Sequence, residues 1–317
     1  MKVIDKINSR KKTLFSIEIV PPLRGNNIKG IYKRIDQLID FDPAFINITY
    51  HKDEAIYTKS NDGTMSKHIL SKRPGTVALT AAIMSKYNVD VVPHLTCGGF
   101  TRDQAENALI DLNFMGIENV LALQGDAGHN QTNFIPENGG HTNANELVTQ
   151  IADMNNGKYL DSKLEQPFPS NFCIGVAGYP EKHYAAPDLE TDIKYLKAKV
   201  DAGADYIVTQ MFFDNKYYFD FVDKCRAMGI TVPIIPGLKP IAMTNQINIL
   251  PKLFHTNIPE ELVRDIKKCK DNKQALEIGT QWSITQAKEL MEKGAPVLHF
   301  YTLGAGDSIR KIAEAIF

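Results

Sequence analysis

The sequence predicts an α/β fold, a (β/α)8 TIM barrel, and three observations carry that reading. First, four segments repeat one pattern: NFMG-IENVLAL, VDAG-ADYIVTQ, RAMG-ITVPIIP and MEKG-APVLHFY. Each is the end of an amphipathic helix, then a glycine, then an apolar run. Gly116, Gly203, Gly229 and Gly294 fit the position just past a helix, where positive φ costs glycine little. Helix feeding strand, repeatedly, means a parallel sheet. Second, eight β-rich runs can be read, with helical patterns between them. Third, no GxGxxG follows the first run, which counts against the alternative of a doubly wound, dinucleotide-binding open sheet.

The eight runs are 14–20, 44–50, 89–95, 119–124, 172–178, 205–210, 232–236 and 297–302. The clearest helix is 189–202, where Leu189, Ile193, Leu196 and Val200 fall on one stripe. No interdomain linker is visible, so residues 1–317 are read as a single barrel domain. Two stretches are loop-like. Residues 127–143 follow strand four on the catalytic rim; residues 156–171 precede strand five on the opposite rim, as a decorative insertion.

The bulk numbers fit this class. A chain of 317 residues, 43% hydrophobic and 23% charged, can bury a large core. The net charge of −1 offers no basic excess for nucleic acid or an anionic membrane. No apolar run approaches the roughly 20 residues of a spanning helix. The first residues lack the apolar core of a secretory signal. Cys97, Cys173, Cys225 and Cys269 form no CxxC pair. Buried free thiols in a reducing cytoplasm are the expectation, and no metal site is read.

Function in such a barrel sits at the C-terminal ends of the strands. Strand one carries Glu18; strand two ends in Thr49-Tyr50; strand three in Pro93-His94. Strand four ends in Gln124-Gly125-Asp126, and strand five in Tyr179-Pro180-Glu181 with His183 beyond. Strand six ends in Thr209-Gln210, and strand eight near Tyr301-Thr302. Glu18 is the most informative of these. Between Ile17 and Ile19 its carboxyl is desolvated, which favours the neutral form and suits a general acid; a core glutamate paired with a base is the alternative. Gly125 allows close approach of a flat ligand, while Asp126 reads equally as a turn or capping residue. Asp192 and Lys199 lie two turns apart on one helix face, which on spacing alone is a solvated charged face. Phe212-Phe213 could stack on a heterocycle or pack the outside of the barrel. An aldolase would need an inward lysine at a strand end, and none is read. A metal-assisted hydrolase would need a ligand cluster, also not read.

The motifs SIEIVPP, NITY, PHLTC, LALQGD, VAGYPEKH, KAKVDAGADYIVTQMFFD, IIPGLKP and HFYTL occur in this order. With them the sequence resembles the methylenetetrahydrofolate reductase family in its single-domain bacterial form, from about residue 13 to the C-terminus. The resemblance implies bound FAD, NADH or NADPH as hydride donor, a reduced folate as substrate, a homo-oligomer, and no regulatory domain. It implies that Glu18 is the general acid. Thr49, His94, Gln124, Gly125, Asp126, Tyr179, His183, Asp192 and Lys199 match FAD-contacting positions; Glu18, Asp126, Gln210 and Tyr301 match substrate-contacting ones. Three positions depart from the family. Gln124 stands where an arginine is common, Thr244 where an aromatic residue stacks, and Gly304-Ala305 where Asn-Arg usually follows HFYTL.

Overall fold

Each predicted run becomes a strand, and the strands close on themselves. The computed structural model describes residues 1–59, 64–125, 134–303 and 306–317. Helix α1 (Val3–Ser9) leads into β1 (Leu14–Ile19), α2 (Lys29–Asp36) and β2 (Phe45–Ile48). An antiparallel hairpin follows, β3 (Glu54–Lys59) and β4 (Met65–Leu70). Alternation then resumes with α3 (Thr76–Tyr87), β5 (Val91–Thr96), α4 (Arg102–Phe114), β6 (Asn119–Leu123), α5 (Ala144–Asn155), β7 (Cys173–Gly178), α6 (Leu189–Asp201), β8 (Tyr206–Thr209) and α7 (Asn215–Ala227). The seventh barrel strand comes in two pieces, β9 (Ile234–Ile235) and β10 (Gly237–Leu238). Helices α8 (Gln246–Phe254), α9 (Glu260–Lys267) and α10 (Asn272–Glu292) precede β11 (Val297–Tyr301) and α11 (Gly306–Ile316).

The order around the sheet is β10-β11-β1-β2-β5-β6-β7-β8-β9, with parallel pairing throughout. Pro236 separates β9 from β10 because proline has no N–H to give the ladder. The first piece therefore pairs with β8 and the second with β11, and the ring closes across the break. The four repeat glycines all have positive φ, from 72° to 120°.

Strand alternation sorts side chains into two cores. Phe45, Val92, Leu121, Cys173, Tyr206, Val208, Ile235 and Val297 fill the barrel, and Val3 and Ile7 of α1 stopper its N-terminal end. Ile17, Ile46, Ile48, Val120, Ile174, Ile207 and Phe300 face outward into the helical layer. The stripe read on 189–202 packs there too, with Ile193 and Leu196 buried. Phe212 and Phe213 are buried; Phe212 stacks on Tyr218 at 5.4 Å, so this pair packs the outside of the barrel. A third cluster, of Met211, Ile241, Ile247, Leu250, Leu262 and Ile266, binds the α8–α9 insertion to the barrel. The hairpin β3–β4 and this insertion were not expected from the sequence.

Candidate functional site

The inward alternation that buries Phe45 and Val297 brings polar residues to the C-terminal mouth. Glu18 of β1, Asn47 of β2, His94 of β5 and His299 of β11 meet there. Glu18 is 9% exposed. Its Oε2 lies 3.4 Å from His94 Nε2 and 3.8 Å from His299 Nε2. Ser16, two residues earlier on the same face, meets His299 Nδ1 at 2.9 Å. Asn47 Nδ2 approaches His94 Nε2 at 3.4 Å. Burial pushes the His94 imidazole down to about 4, against the opposing pull of the Glu18 charge, so it is neutral at physiological pH. Thr302 Oγ1 donates to the Glu18 carbonyl at 2.6 Å and fixes the strand end.

The positions proposed for FAD form an arc over four neighbouring strands, β2, β5, β6 and β7. Thr49 follows β2, and its hydroxyl meets His51 Nε2 at 3.1 Å. Gln124 and Gly125 follow β6. The Gln124 amide donates to Thr142 O at 2.9 Å. Gly125 has φ +88°, and a Cβ there would come within 3.4 Å of Thr96. Asp126 lies outside the described residues, as do Gly304 and Ala305. After β7, the Tyr179 and His183 rings meet edge to face at 4.6 Å. His183 N–H donates to Asp192 Oδ2 at 2.8 Å, and Lys199 Nζ donates to Ala177 O at 2.6 Å. Asp192 and Lys199 thus turn toward β7 and its loop rather than to solvent, unlike the charged face that their spacing suggests. Burial pushes His183 down to about 4 and Lys199 down to about 8, and it raises the Asp192 carboxyl. The loop is braced from the insertion: Glu181 accepts from Asn257 N at 2.8 Å and from the Asn257 amide.

The positions proposed for folate lie on the other side of Glu18. Gln210 follows β8, with its Oε1 accepting from Met211 N at 2.9 Å. Tyr301 donates to Thr209 O at 2.6 Å, and its ring passes over Gly237. Its hydroxyl is therefore engaged, leaving the ring to offer contact. Thr244 is half-buried, bonded to Asn272 Oδ1 at 3.0 Å through its N–H.

Sequence reading missed three buried residues here. Asn47 and His299 lie two residues beyond the inward Phe45 and Val297, so period-2 alternation along their own strands was available, but only the register with β1 ties them to Glu18. Lys239, one residue past β10, is 3% exposed, and its Nζ donates to Leu303 O at 2.8 Å. It is the buried lysine at a strand end that the sequence reading did not find. No helix among the described residues is long and apolar enough to cross a membrane.

The chain matches the family model for methylenetetrahydrofolate reductase over residues 3–316. It is 34% identical over 321 residues to methylenetetrahydrofolate reductase (NADH) 1 of Arabidopsis thaliana, covering 97% of this chain and 49% of that protein. It is 28% identical over 304 residues to 5,10-methylenetetrahydrofolate reductase of Escherichia coli, covering 95% of this chain and 90% of that one. It thus spans about half the length of the plant relative. A solved structure from Clostridium thermocellum, described as binding two copies of 5-methyl-5,6,7,8-tetrahydrofolic acid, shares the fold. Its TM-score is 0.60, with 17% identity and 98% of each chain covered. The chain belongs to the methylenetetrahydrofolate reductase family.

Proposed function

We propose that this protein reduces 5,10-methylenetetrahydrofolate to 5-methyltetrahydrofolate with NADH or NADPH, through FAD, in a ping-pong cycle with Glu18 as general acid. The observation that carries the reading is Glu18 itself. It is a nearly buried carboxyl at the mouth of a barrel of this family, flanked by a neutral His94 and by His299.

The arc of Thr49, His94, Gly125, Tyr179, His183, Asp192 and Lys199 suits an extended cofactor such as FAD. It combines a bare backbone at Gly125, an aromatic edge at Tyr179 and His183, and behind them Asp192 and Lys199, each bonded to the backbone of β7 or its loop. Bound FAD supplies storage of a hydride between the nicotinamide donor and the folate carbon. The remaining work falls to the chain. Asp192 holds the His183 backbone, and Lys199 ties α6 to the end of β7, so the arc keeps its shape. Glu18 gives its proton to N10 of the folate, and the five-membered ring opens toward the carbon that is reduced. Gln210 and the Tyr301 ring orient the pterin beside it. One mouth used in turn by two substrates gives ping-pong kinetics.

The test is an anaerobic visible spectrum of the FAD-reconstituted protein. NADH is expected to bleach the flavin bands, and methylenetetrahydrofolate to restore them. Glu18→Gln should leave the bleaching intact and slow the return by roughly 10²–10⁴. Protein that takes up no FAD would overturn the reading.

A further inference from the structure

Asn47 is fully buried, points into the mouth, and has an unusual hydrogen-bond balance. Its Nδ2 approaches His94 Nε2 at 3.4 Å, while its Oδ1 has no partner among the described residues. Glu18 Oε2 lies at the same 3.4 Å from the same His94 nitrogen. Two groups, from β1 and β2, therefore converge on one imidazole atom of the adjacent β5.

A neutral imidazole nitrogen either carries a hydrogen or offers one lone pair. If His94 Nε2 carried the hydrogen, it would face an amide N–H, donor against donor. Turning the Asn47 amide over would repair that contact, but it would leave two buried N–H donors unpaired, where the amide as placed leaves one N–H and the carbonyl oxygen. The structure sets the amide nitrogen against His94, which strands one N–H fewer, and orphaned buried N–H groups are rarer than orphaned carbonyl oxygens. His94 Nε2 then holds a lone pair. A carboxylate oxygen cannot bond to a lone pair; a carboxylic acid can, through its own hydrogen. Two donors sharing one lone pair also accounts for the equal, long separations.

We infer that Asn47 is a positioning residue for the Glu18 proton: its amide N–H fixes His94 in the tautomer whose Nε2 is an acceptor, so that Glu18 meets His94 only through its O–H. The inference rests on the reading of Glu18 as the acid. The other titratable groups facing this point are His299 of β11, at 3.8 Å from Glu18, the Tyr301 hydroxyl, and His51 beyond β2. The low proton affinity of His94 keeps the ring neutral, which makes its tautomer the variable that Asn47 can set.

The test uses the oxidised holoenzyme labelled with ¹⁵N-histidine, the His94 signal being assigned by its loss in His94→Gln. Nε2 is expected to read as unprotonated, and to become protonated in Asn47→Asp, which can only accept. Stopped flow then follows both half-reactions. Asn47→Leu should slow flavin reoxidation by folate about tenfold and leave reduction by NADH unchanged. In the Glu18→Gln background the same substitution should cost nothing further. A protonated Nε2 in the native protein overturns the inference. So does an Asn47→Leu loss that persists undiminished in the Glu18→Gln background. If instead Glu18→Gln leaves the folate half-reaction intact, the reading of the acid fails, while the tautomer result stands by itself.

Discussion

Removing the Lys239 ammonium should take away one source of this protein's gain in stability at alkaline pH. The group is 3% exposed, has one backbone carbonyl as partner, and has no carboxylate within 4 Å among the described residues. Burial pushes it from its ordinary 10.5 down to about 8. That difference corresponds to a penalty of about 3 kcal/mol on the folded state while both states are protonated. The sign follows from the protons bound. Below pH 8 the folded and unfolded chains both carry the proton, and the full penalty applies. Between 8 and 10.5 only the unfolded chain holds it, so stability rises with pH by up to about 1.4 kcal/mol per pH unit. Above 10.5 the penalty is gone. Lys239→Met keeps the apolar stem and removes the titration. Loss of the bond to Leu303 shifts the variant by a constant amount, but it does not change the slope. Urea unfolding of both proteins at pH 7 and pH 10.5 measures the difference. The native protein should gain about 3 kcal/mol relative to the variant across that span. Parallel curves would refute the argument, because they would mean that the ammonium reaches water or an anion.

Three further outcomes are expected. Gly237→Ala puts a methyl against the Thr209 carbonyl and within 2.6 Å of the Tyr301 hydroxyl; it should cost about 1–3 kcal/mol in urea unfolding, and an unchanged midpoint would mean that the seam yields freely. Asp192→Ala leaves the His183 N–H without its acceptor and should weaken FAD binding about tenfold, read by flavin fluorescence titration. Ile7→Ala should cost about 2–5 kcal/mol of stability with FAD affinity unchanged, since α1 plugs the end of the barrel opposite the mouth; equal losses in both would place α1 in contact with the site.

The barrel was legible in the sequence because its parts are local. Helix stripes, C-terminal glycines and apolar runs each lie within a few residues, and the eight strands fall inside or within two residues of the ranges read. The hairpin β3–β4 was equally local and was missed. Two alternating runs flank Asp62-Gly63, a strong turn signal, but the eight-strand count had no place for it. Glu18 was legible because a carboxylate inside SIEIV is conspicuous. Asn47 and His299 were not, because their significance depends on register. Only the register, which pairs Glu18 with Asn47 on one side and Ser16 with His299 on the other, brings these side chains to Glu18. The turn of Asp192 and Lys199 toward the site was illegible for a similar reason. Spacing gives their shared face, but the loop after β7 decides what that face meets.

The break at Pro236 gives the ring a clasp. Every other seam of the barrel is laced by three to five paired residues, but the seventh strand gives two to each neighbour. A hoop with one short fastening does not deform evenly. Strain placed on the mouth by an entering ligand concentrates at β9 and β10, where the Tyr301–Thr209 and Lys239–Leu303 links act as cross-stitches. The side of the mouth with Gln210 and Tyr301, proposed for folate, adjoins that clasp, while the arc of Thr49, Gly125 and His183 stands on the firmly laced side. The barrel therefore joins a rigid half, suited to a ligand that stays, to a compliant half suited to ligands that come and go.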